Sequence, residues 1–173
     1  MYGRAFMTGL LAATCLFLGC TDVNERDIPR IKAEIEAEIN QSAHAWEEFP
    51  KTLDRTAILK YYAADYSGVK DGESETLRDL EKMFADLPEQ IKLGAPIGIS
   101  YKISDLNIQI LTSRLAWVTY QDATKWGQGG LVMREDKTKC STLVRKDEDI
   151  WLVFHEHCST VTVSIPPRLR NRF

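Results

Sequence analysis

The residues best suited to chemistry in this sequence are two histidines near its C-terminal end. His155 and His157 lie two positions apart in the segment Trp151 to Ser159, whose composition is typical of a β-strand. Because side chains alternate along a strand, both imidazoles should point to one face. That face would also carry Trp151, Val153 and Ser159, and the opposite face Leu152, Phe154, Glu156 and Cys158. An imidazole titrates near neutral pH, so such a pair facing a pocket could relay protons or bind a polar ligand.

His155 and His157 are therefore the predicted catalytic residues, and two other interpretations stay open. In the first, they hydrogen-bond neighbouring strands and hold the sheet or a dimer interface together. In the second, they bind a metal ion with Glu156 or Cys140 as a further ligand. Glu156 points away from the histidine face and the spacing places no third ligand, so we predict neither a metal ion nor another cofactor.

Acid–base catalysis by a carboxyl group needs a dry pocket that raises its pKa. Four acidic residues are candidates for this role: Asp65, Asp105, Asp122 and Glu156. No motif singles out one of them, and each could equally be a solvated or strand-end residue. A carboxylate from this set would act beside one of the histidines.

Aromatic side chains are plentiful in the segments expected around a pocket. The predicted pocket residues are Tyr62, Tyr66, Tyr101, Trp117, Trp126, Thr142, Trp151 and Ser159. An aromatic pocket with a few polar groups suits a small, partly apolar molecule. The glycine-rich run from Trp126 to Gly130 lies near the expected rim and could act as a lid.

Cys140 and Cys158 lie on neighbouring strands of one predicted hairpin. Counting back from the turn, Cys140 lies opposite residue 157 or residue 158. In the second register the two cysteines face each other and could form a cross-strand disulfide. In the first register they lie on opposite faces, because a slip of one residue reverses every side chain.

The N-terminus has the features of an export signal. Arg4 is the only charge in the first 21 residues, and an apolar stretch follows from Ala5 to Leu18. This pattern is typical of a secretory signal peptide, and the stretch is short for a membrane-spanning helix. The ending Phe17-Leu18-Gly19-Cys20 resembles a bacterial lipobox, in which the cysteine is lipidated.

The predicted location is the cell envelope, with the chain anchored through lipid on Cys20 and facing the periplasm. Thr21 after the cysteine favours the outer membrane, and secretion is the alternative. An oxidising compartment of this kind permits a disulfide.

Length and composition restrict the class of protein. The chain has 173 residues, with 22 Lys and Arg against 25 Asp and Glu, and a formal net charge of −3. One domain of this size is expected, and the balanced charge argues against a nucleic-acid-binding protein. The predicted division is a signal at 1–20, a tether at 21–27, a domain at 28–163 and a basic tail at 164–173.

Hydrophobic spacing predicts three helices followed by a run of strands. The expected helices span residues 28–49, about 54–64 and 75–87. Pro50 is expected to end the first helix and Pro88 the third, and a short strand is expected at 66–69. The expected strands span residues 99–111, 115–125, 131–146 and 151–163. This order indicates an α+β fold, with helices on one face of a strongly curved antiparallel sheet that leaves a conical cavity.

The residues that end the chain resemble a known family. The run Trp151 to Ser159, with its His-Glu-His, resembles the last strand of SnoaL-like proteins of the nuclear transport factor 2 (NTF2-like) superfamily, especially the group called DUF4440. Ser141 to Lys146 is similar to that family's penultimate strand. Tyr62 to Tyr66 together with Gly72 resembles its second helix and following strand. The resemblance covers residues 28–162 and implies the NTF2-like cone.

The superfamily includes isomerases, dehydratases, polyketide cyclases and oligomerisation modules, so the fold does not fix the function. The leading prediction is binding of an unidentified small molecule, in a homodimer formed through the open face of the sheet. One alternative is an isomerase or a cyclase-like lyase that uses His155 or His157 with a carboxylate. Another is an interaction module that oligomerises without catalysis. No nucleic-acid partner is expected, and the only expected membrane contact is the N-terminal lipid.

Overall fold

The computed structural model describes residues 23–94, 97–128 and 131–164. The predicted signal peptide, the lipidation site Cys20 and nearly all of the basic tail lie outside these residues. In the described part of the chain, no helix combines the length and the apolar character needed to cross a membrane.

One long helix, α1, spans Ile28–Thr52. Its apolar residues recur at helical spacing, so one stripe of the helix is buried, including Ile31, Ile35 and Phe49. The helix was expected to stop at Pro50, but Pro50 lies in its last turn and the helix continues for two more residues. Leu53, with φ of 55°, ends it by donating its backbone N–H to the carbonyl of Phe49 at 2.7 Å.

The second predicted helix, at about 54–64, is wrong. Only a single turn forms, α2 at Thr56–Leu59, and the chain then enters a strand, β1 at Tyr62–Lys70. The backbone carbonyl of Tyr61 accepts a hydrogen bond of 2.9 Å from the N–H of Val153, so pairing with a distant strand replaces the helix here. Asp71 and Gly72, both with positive φ, turn the chain into a short strand, β2 at Glu73–Thr76.

Helix α3 spans Leu77–Lys92 and is capped by Thr76, where Ser74 was expected. Asp79 Oδ2 accepts hydrogen bonds from the Thr76 backbone N–H at 2.8 Å and from its hydroxyl at 2.7 Å. This is the reciprocal arrangement of a capping box. Pro88 was expected to end the helix but lies inside it.

The remaining strands form the antiparallel run that the sequence predicts. They are β3 at Ile97–Thr112, β4 at Leu115–Gln128, β5 at Leu131–Asp147 and β6 at Ile150–Ser164. The sheet order is β2-β1-β6-β5-β4-β3, and β1 pairs with β6 in parallel. The sheet is therefore mixed, where an antiparallel sheet was expected, and it is not strongly curled. Of the three expected helices, α1 is one long N-terminal helix, α2 is a single turn and α3 is shorter than α1.

Two apolar clusters hold the helices on the sheet. The first joins the N-terminal half of α1 to β3–β6 through Ile31, Ile35, Ile108, Ala116, Val118, Val144 and Trp151. The second joins the other end of α1 to α2, α3 and β1 through Phe49, Ile58, Tyr66, Leu80 and Phe84. Members of both clusters line one cavity between the helices and the sheet.

Candidate functional site

A β-bulge in β6 decides which side chains enter the cavity. Val144 of β5 pairs with Val153, and Leu143 pairs with His155, so Phe154 is an extra residue on β6. An extra residue reverses the alternation of side chains beyond it. Before the bulge, the inner face of β6 carries Trp151 and Val153. Beyond it, the inner face carries Glu156, Cys158 and Thr160, all of which line the cavity.

The two histidines therefore lie on the outer face of the sheet, which corrects the expectation that they share a face with Trp151 and Val153. His155 Nδ1 lies 3.0 Å from the hydroxyl of Ser67 on β1. His157 is exposed and lines an open groove on the outer face with Ser141 and Ser159. Strict alternation failed because the bulge depends on pairing with β5, which the sequence of β6 alone does not reveal.

The cavity has a volume of about 350 Å³, within the usual size range of small-molecule sites. Side chains from α1, α3 and the inner face of the sheet surround it. Its apolar wall includes Ile35, Ile39, Trp46, Phe49, Leu80 and Val144. A cavity of this kind favours a ligand with a substantial apolar part.

Glu156 is one of the polar residues that line the cavity. Its Oε2 accepts hydrogen bonds from the hydroxyls of Tyr120 at 3.0 Å and Thr142 at 3.1 Å. Burial raises the pKa of Glu156 above its ordinary value, while these two hydrogen bonds and the charge of Lys70 act in the opposite direction. A cavity-facing carboxyl with a raised pKa can hold a proton closer to neutral pH and exchange it with a ligand.

Tyrosines surround this carboxyl group and remain neutral donors. Burial raises the pKa of Tyr62, Tyr101 and Tyr120 well above the ordinary tyrosine value, and the negative charge of Glu156 adds to the shift. The Tyr66 hydroxyl donates a hydrogen bond of 2.7 Å to Glu75, and its ring packs edge-on against Tyr62. Tyr62, Tyr101 and Tyr120 line the cavity and bring hydroxyl groups to it without adding charge.

The four carboxylate candidates separate into two pairs. Glu156 and Asp122 line the cavity, and burial raises the pKa of Asp122, which is 7% exposed. Asp65 is exposed and pairs with Arg145 at 2.8 Å. Asp105 accepts a hydrogen bond from Gln121 and lines the outer groove.

The predicted pocket residues divide in the same way. Those that line the cavity are Tyr62, Tyr101, Trp126, Thr142 and Trp151. Tyr66 is buried behind Tyr62. Trp117 and Ser159 are corrected to the outer face, where Trp117 is 40% exposed and donates its indole N–H to the Ser141 hydroxyl at 2.6 Å. Ala116 and Val118, its neighbours on β4, take the inward positions.

The predicted lid also differs from expectation. Trp126 to Gln128 continue strand β4, and Trp126 lines the cavity. Gly129 and Gly130 lie outside the described residues.

Cys140 and Cys158 are directly opposite each other on β5 and β6, with Sγ atoms 2.06 Å apart in a disulfide. Of the two registers compatible with the sequence, the structure has the one in which both cysteines face inward. Each sulfur lies within 4.8 Å of a Glu156 carboxyl oxygen. Metal ligation by cysteine requires thiolates, which the bonded sulfurs do not offer.

Tyr120 is the functional residue that the sequence argument missed. It lies in the strand predicted at residues 115–125, but no motif tied its hydroxyl to Glu156. Once β4, β5 and β6 are aligned, Tyr120 lies opposite Cys140, next to the Thr142–Glu156 pair. Strand register was therefore the missing signal.

Comparison with protein families gives one match, in which the model described as a SnoaL-like domain covers residues 39–164. No curated protein sequence matches the chain.

Several solved structures have the same fold at low sequence identity. A putative scytalone dehydratase from Novosphingobium aromaticivorans aligns with a TM-score of 0.68 and 10% identity, covering 81% of this chain and 90% of that one. A type 2 hexachlorocyclohexane dehydrochlorinase aligns with 0.62 and 5%, covering 82% and 93%. A ketosteroid isomerase-like protein from Erwinia carotovora atroseptica aligns with 0.54 and 18%, covering 75% and 95%. At these identities the alignments establish the NTF2-like fold.

Proposed function

The chain belongs to the SnoaL-like domain family on the NTF2-like fold, and from this premise we propose that it binds a small, partly apolar molecule in its cavity and exchanges a proton with it through Glu156. The observation that carries the proposal is the Glu156 carboxyl group, which faces the cavity between the hydroxyls of Tyr120 and Thr142. The ligand class is a neutral molecule with a carbonyl or hydroxyl group next to this carboxyl.

The chemistry of the carboxyl group supports proton transfer. Its raised pKa increases its basicity when ionised and its protonated fraction near neutral pH. The neighbouring Tyr62 and Tyr101, whose pKa values are also raised, supply neutral donors that could hold a carbonyl oxygen. The names of three structural neighbours refer to dehydration, dehydrochlorination and ketosteroid isomerisation. Each of these reactions removes a proton from carbon, which agrees with a carboxyl acting as the base.

Hydrogen exchange into a simple ketone tests this proposal without knowledge of the natural substrate. The probe is 2-tetralone in deuterium oxide, and proton NMR follows the loss of its α-proton signal. We expect the wild type to accelerate exchange and Glu156→Gln to lower the rate about 100-fold or more, within the range of general acid–base effects.

The matched control is His157→Gln, which changes a titratable residue to the same amide on the same strand but on the outer face. We expect it to retain the wild-type rate. Exchange that survives Glu156→Gln, or that is lost in His157→Gln, would contradict the assignment of the proton transfer to Glu156.

We also propose that the protein is exported and anchored by lipid on Cys20, and that it belongs to the DUF4440 group. The pattern from Arg4 to Cys20 supports export, and the Cys140–Cys158 pairing is compatible with an oxidising compartment. In bacteria grown with labelled palmitate, the full chain and Cys15→Ala should both take up label. Cys20→Ala should take up none, and label on Cys20→Ala would contradict the anchor.

We propose in addition that two copies associate through the outer face of the sheet. This face exposes Trp117 at 40% and Val161 at 50%, two apolar side chains that a second copy would cover. Light scattering should give twice the monomer mass for the wild type and the monomer mass for Trp117→Lys. Leu93→Lys, at an 88% exposed position that follows α3, is the control and should stay dimeric.

A further inference from the structure

The cavity extends along β5 well beyond Glu156. Alternate residues of this strand line it from Val144 through Thr142, Cys140, Thr138 and Asp136 to Arg134. A strand rises by about 3.3–3.4 Å per residue, so the backbone positions of Thr142 and Asp136 are about 20 Å apart. The carboxyl of Glu156, bonded to Thr142, therefore occupies one part of an elongated space.

Two polar atoms at the other end of this space have unused hydrogen-bonding capacity. Within residues 23–94, 97–128 and 131–164, Trp126 Nε1 and Asp136 Oδ1 are buried and have no hydrogen-bond partner. Both side chains line the cavity. Buried polar groups in proteins are nearly always paired, so an unpaired donor beside an unpaired acceptor indicates a place for a ligand group.

Strand register brings these two side chains together. Trp126 pairs with Arg134, and Thr124 pairs with Asp136, so Trp126 and Asp136 are diagonal neighbours on the inner face. Arg134 contacts both, since its guanidinium forms a salt bridge of 2.7 Å with Asp136 Oδ2 and lies 5.4 Å from the centre of the Trp126 ring. Arg134 thus fixes the pair and balances the charge of Asp136, while Nε1 and Oδ1 stay free.

The wall between the two ends offers fewer free polar groups. The Cys140–Cys158 disulfide forms part of it, next to Glu156. Asp122, opposite Thr138, accepts a hydrogen bond of 3.2 Å from Thr124. The middle of the cavity therefore presents the disulfide together with one carboxyl group, Asp122, that Thr124 already pairs.

From this arrangement we propose that Trp126 and Asp136 form a second polar subsite for the distal end of an elongated ligand. The distal group accepts a hydrogen bond from the indole N–H and donates one to the carboxylate, which describes a neutral hydroxyl or primary amide. This inference rests on the proposed binding function and adds the length and second end group of the ligand.

A pair of compounds that differ only at the far end tests the subsite. Dodecane-1,12-diol has a hydroxyl at both ends, and dodecan-1-ol has one. By calorimetric titration, the diol should bind the wild type about 5- to 10-fold more tightly, the gain expected of one good hydrogen bond. Trp126→Phe, which keeps an aromatic ring but lacks the N–H, should abolish this gain, so that the diol and the mono-alcohol bind the variant with equal affinity.

The matched control is Trp117→Phe, which removes an indole N–H on the outer face and should retain the preference for the diol. A second measurement uses the wild type alone, since its four tryptophans give four indole N–H resonances in nitrogen-15 NMR. The Trp126 resonance should shift with the diol and stay in place with the mono-alcohol.

The failures of the two proposals are distinguishable. Equal affinity for both compounds in the wild type, or a diol preference that survives Trp126→Phe, would overturn the subsite. If the mono-alcohol still binds and Glu156→Gln weakens it, the Glu156 end is retained while the subsite is lost. If neither compound binds the wild type, both the subsite and the ligand class proposed for the cavity are contradicted.

Discussion

Both faces of strand β6 carry titratable side chains, but the surroundings of these side chains differ between the two faces. On the inner face, Glu156 is enclosed by tyrosines and a threonine, and burial raises its pKa. On the outer face, His157 is exposed in an open groove and His155 contacts Ser67. Residue type alone favours the histidines for chemistry near neutral pH, whereas surroundings favour the glutamate. The comparison shows that one bulge changes the strand register and with it the side chains of β6 that point inward. The bulge therefore determines which of these neighbouring groups can act on an enclosed ligand.

The largest effect on the free energy of unfolding is expected from the disulfide, which lies on the inner face of the sheet. Cys140 and Cys158 are separated by 18 positions, and closing a loop of about this size stabilises a protein by about 3 kcal/mol. We expect Cys140→Ser with Cys158→Ser to lower the free energy of unfolding by about that amount in urea denaturation. Reduction of the wild type should lower it similarly.

Alkylation gives an independent check of the same pairing. The mass of the protein treated with iodoacetamide should show no label on Cys140 or Cys158 until a reductant is added. Labels on both residues without reductant would contradict the disulfide between them.

Removing one hydrogen-bond donor from each face gives the next largest contrast in stability. Tyr120→Phe takes one of two donors from the buried carboxyl of Glu156, and we expect it to destabilise the protein by about 1–3 kcal/mol. Trp117→Phe removes a donor from Ser141 at the exposed face, where water can replace it, and should cost about 0.5 kcal/mol. Equal losses in the two variants would remove the distinction between the faces.

The pH dependence of stability should also differ between the faces. Because burial raises the pKa of Glu156, the folded state binds more protons than the unfolded state between the ordinary and the raised value. The contribution of Glu156 is therefore fully present below its ordinary pKa and is lost as the pH rises through the raised pKa. Relative to Glu156→Gln, the wild type should lose stability across this window.

Urea denaturation at a series of pH values measures this difference, and Asp122 contributes equally to both proteins. His157→Gln serves as the comparison variant and should follow the wild-type curve in the same window. If the curves of wild type and Glu156→Gln are parallel, the raised pKa of Glu156 is wrong.

The smallest effect is expected from an ion pair on the outer face. The Arg145 guanidinium holds the pKa of Asp65 below its ordinary value, but the Arg145 side chain is 36% exposed and the Asp65 side chain is 64% exposed. Water and salt screen such a pair strongly. Asp65→Asn should leave the unfolding midpoint unchanged within measurement error at physiological salt. A clear loss would show that the outer face contributes more structure than its exposure indicates.

Most of the fold could be predicted because the four long strands have an extended two-residue period. Their observed bounds differ from the predicted ones by three residues or fewer. The segment around Tyr61 and Tyr62 was misjudged because its apolar residues fit either a helix or a strand. Its pairing with Val153, far away in sequence, decides between them.

The candidate site was harder to predict than the fold, because its chemistry depends on which face of the sheet each side chain occupies. The same two-residue period that located β6 assigned its side chains wrongly, since the extra residue Phe154 is defined by the partner strand β5. Trp117 was wrongly assigned to the pocket for a related reason. The sequence does not show which of the four tryptophans point inward, because that depends on how the strands pair. Glu156 was among the candidates, but nothing in the sequence connected it to Tyr120 and Thr142.

The most direct test of the central claim compares both faces in one sample. A carbon-13 NMR titration of the wild type follows the side-chain carboxyl of Glu156 and the imidazoles of His155 and His157, with and without 2-tetralone. Our account predicts that Glu156 titrates above the ordinary glutamate value and that the ketone shifts its resonance while both histidines stay unchanged. An ordinary pKa for Glu156, together with histidine resonances that respond to the ketone, would contradict it.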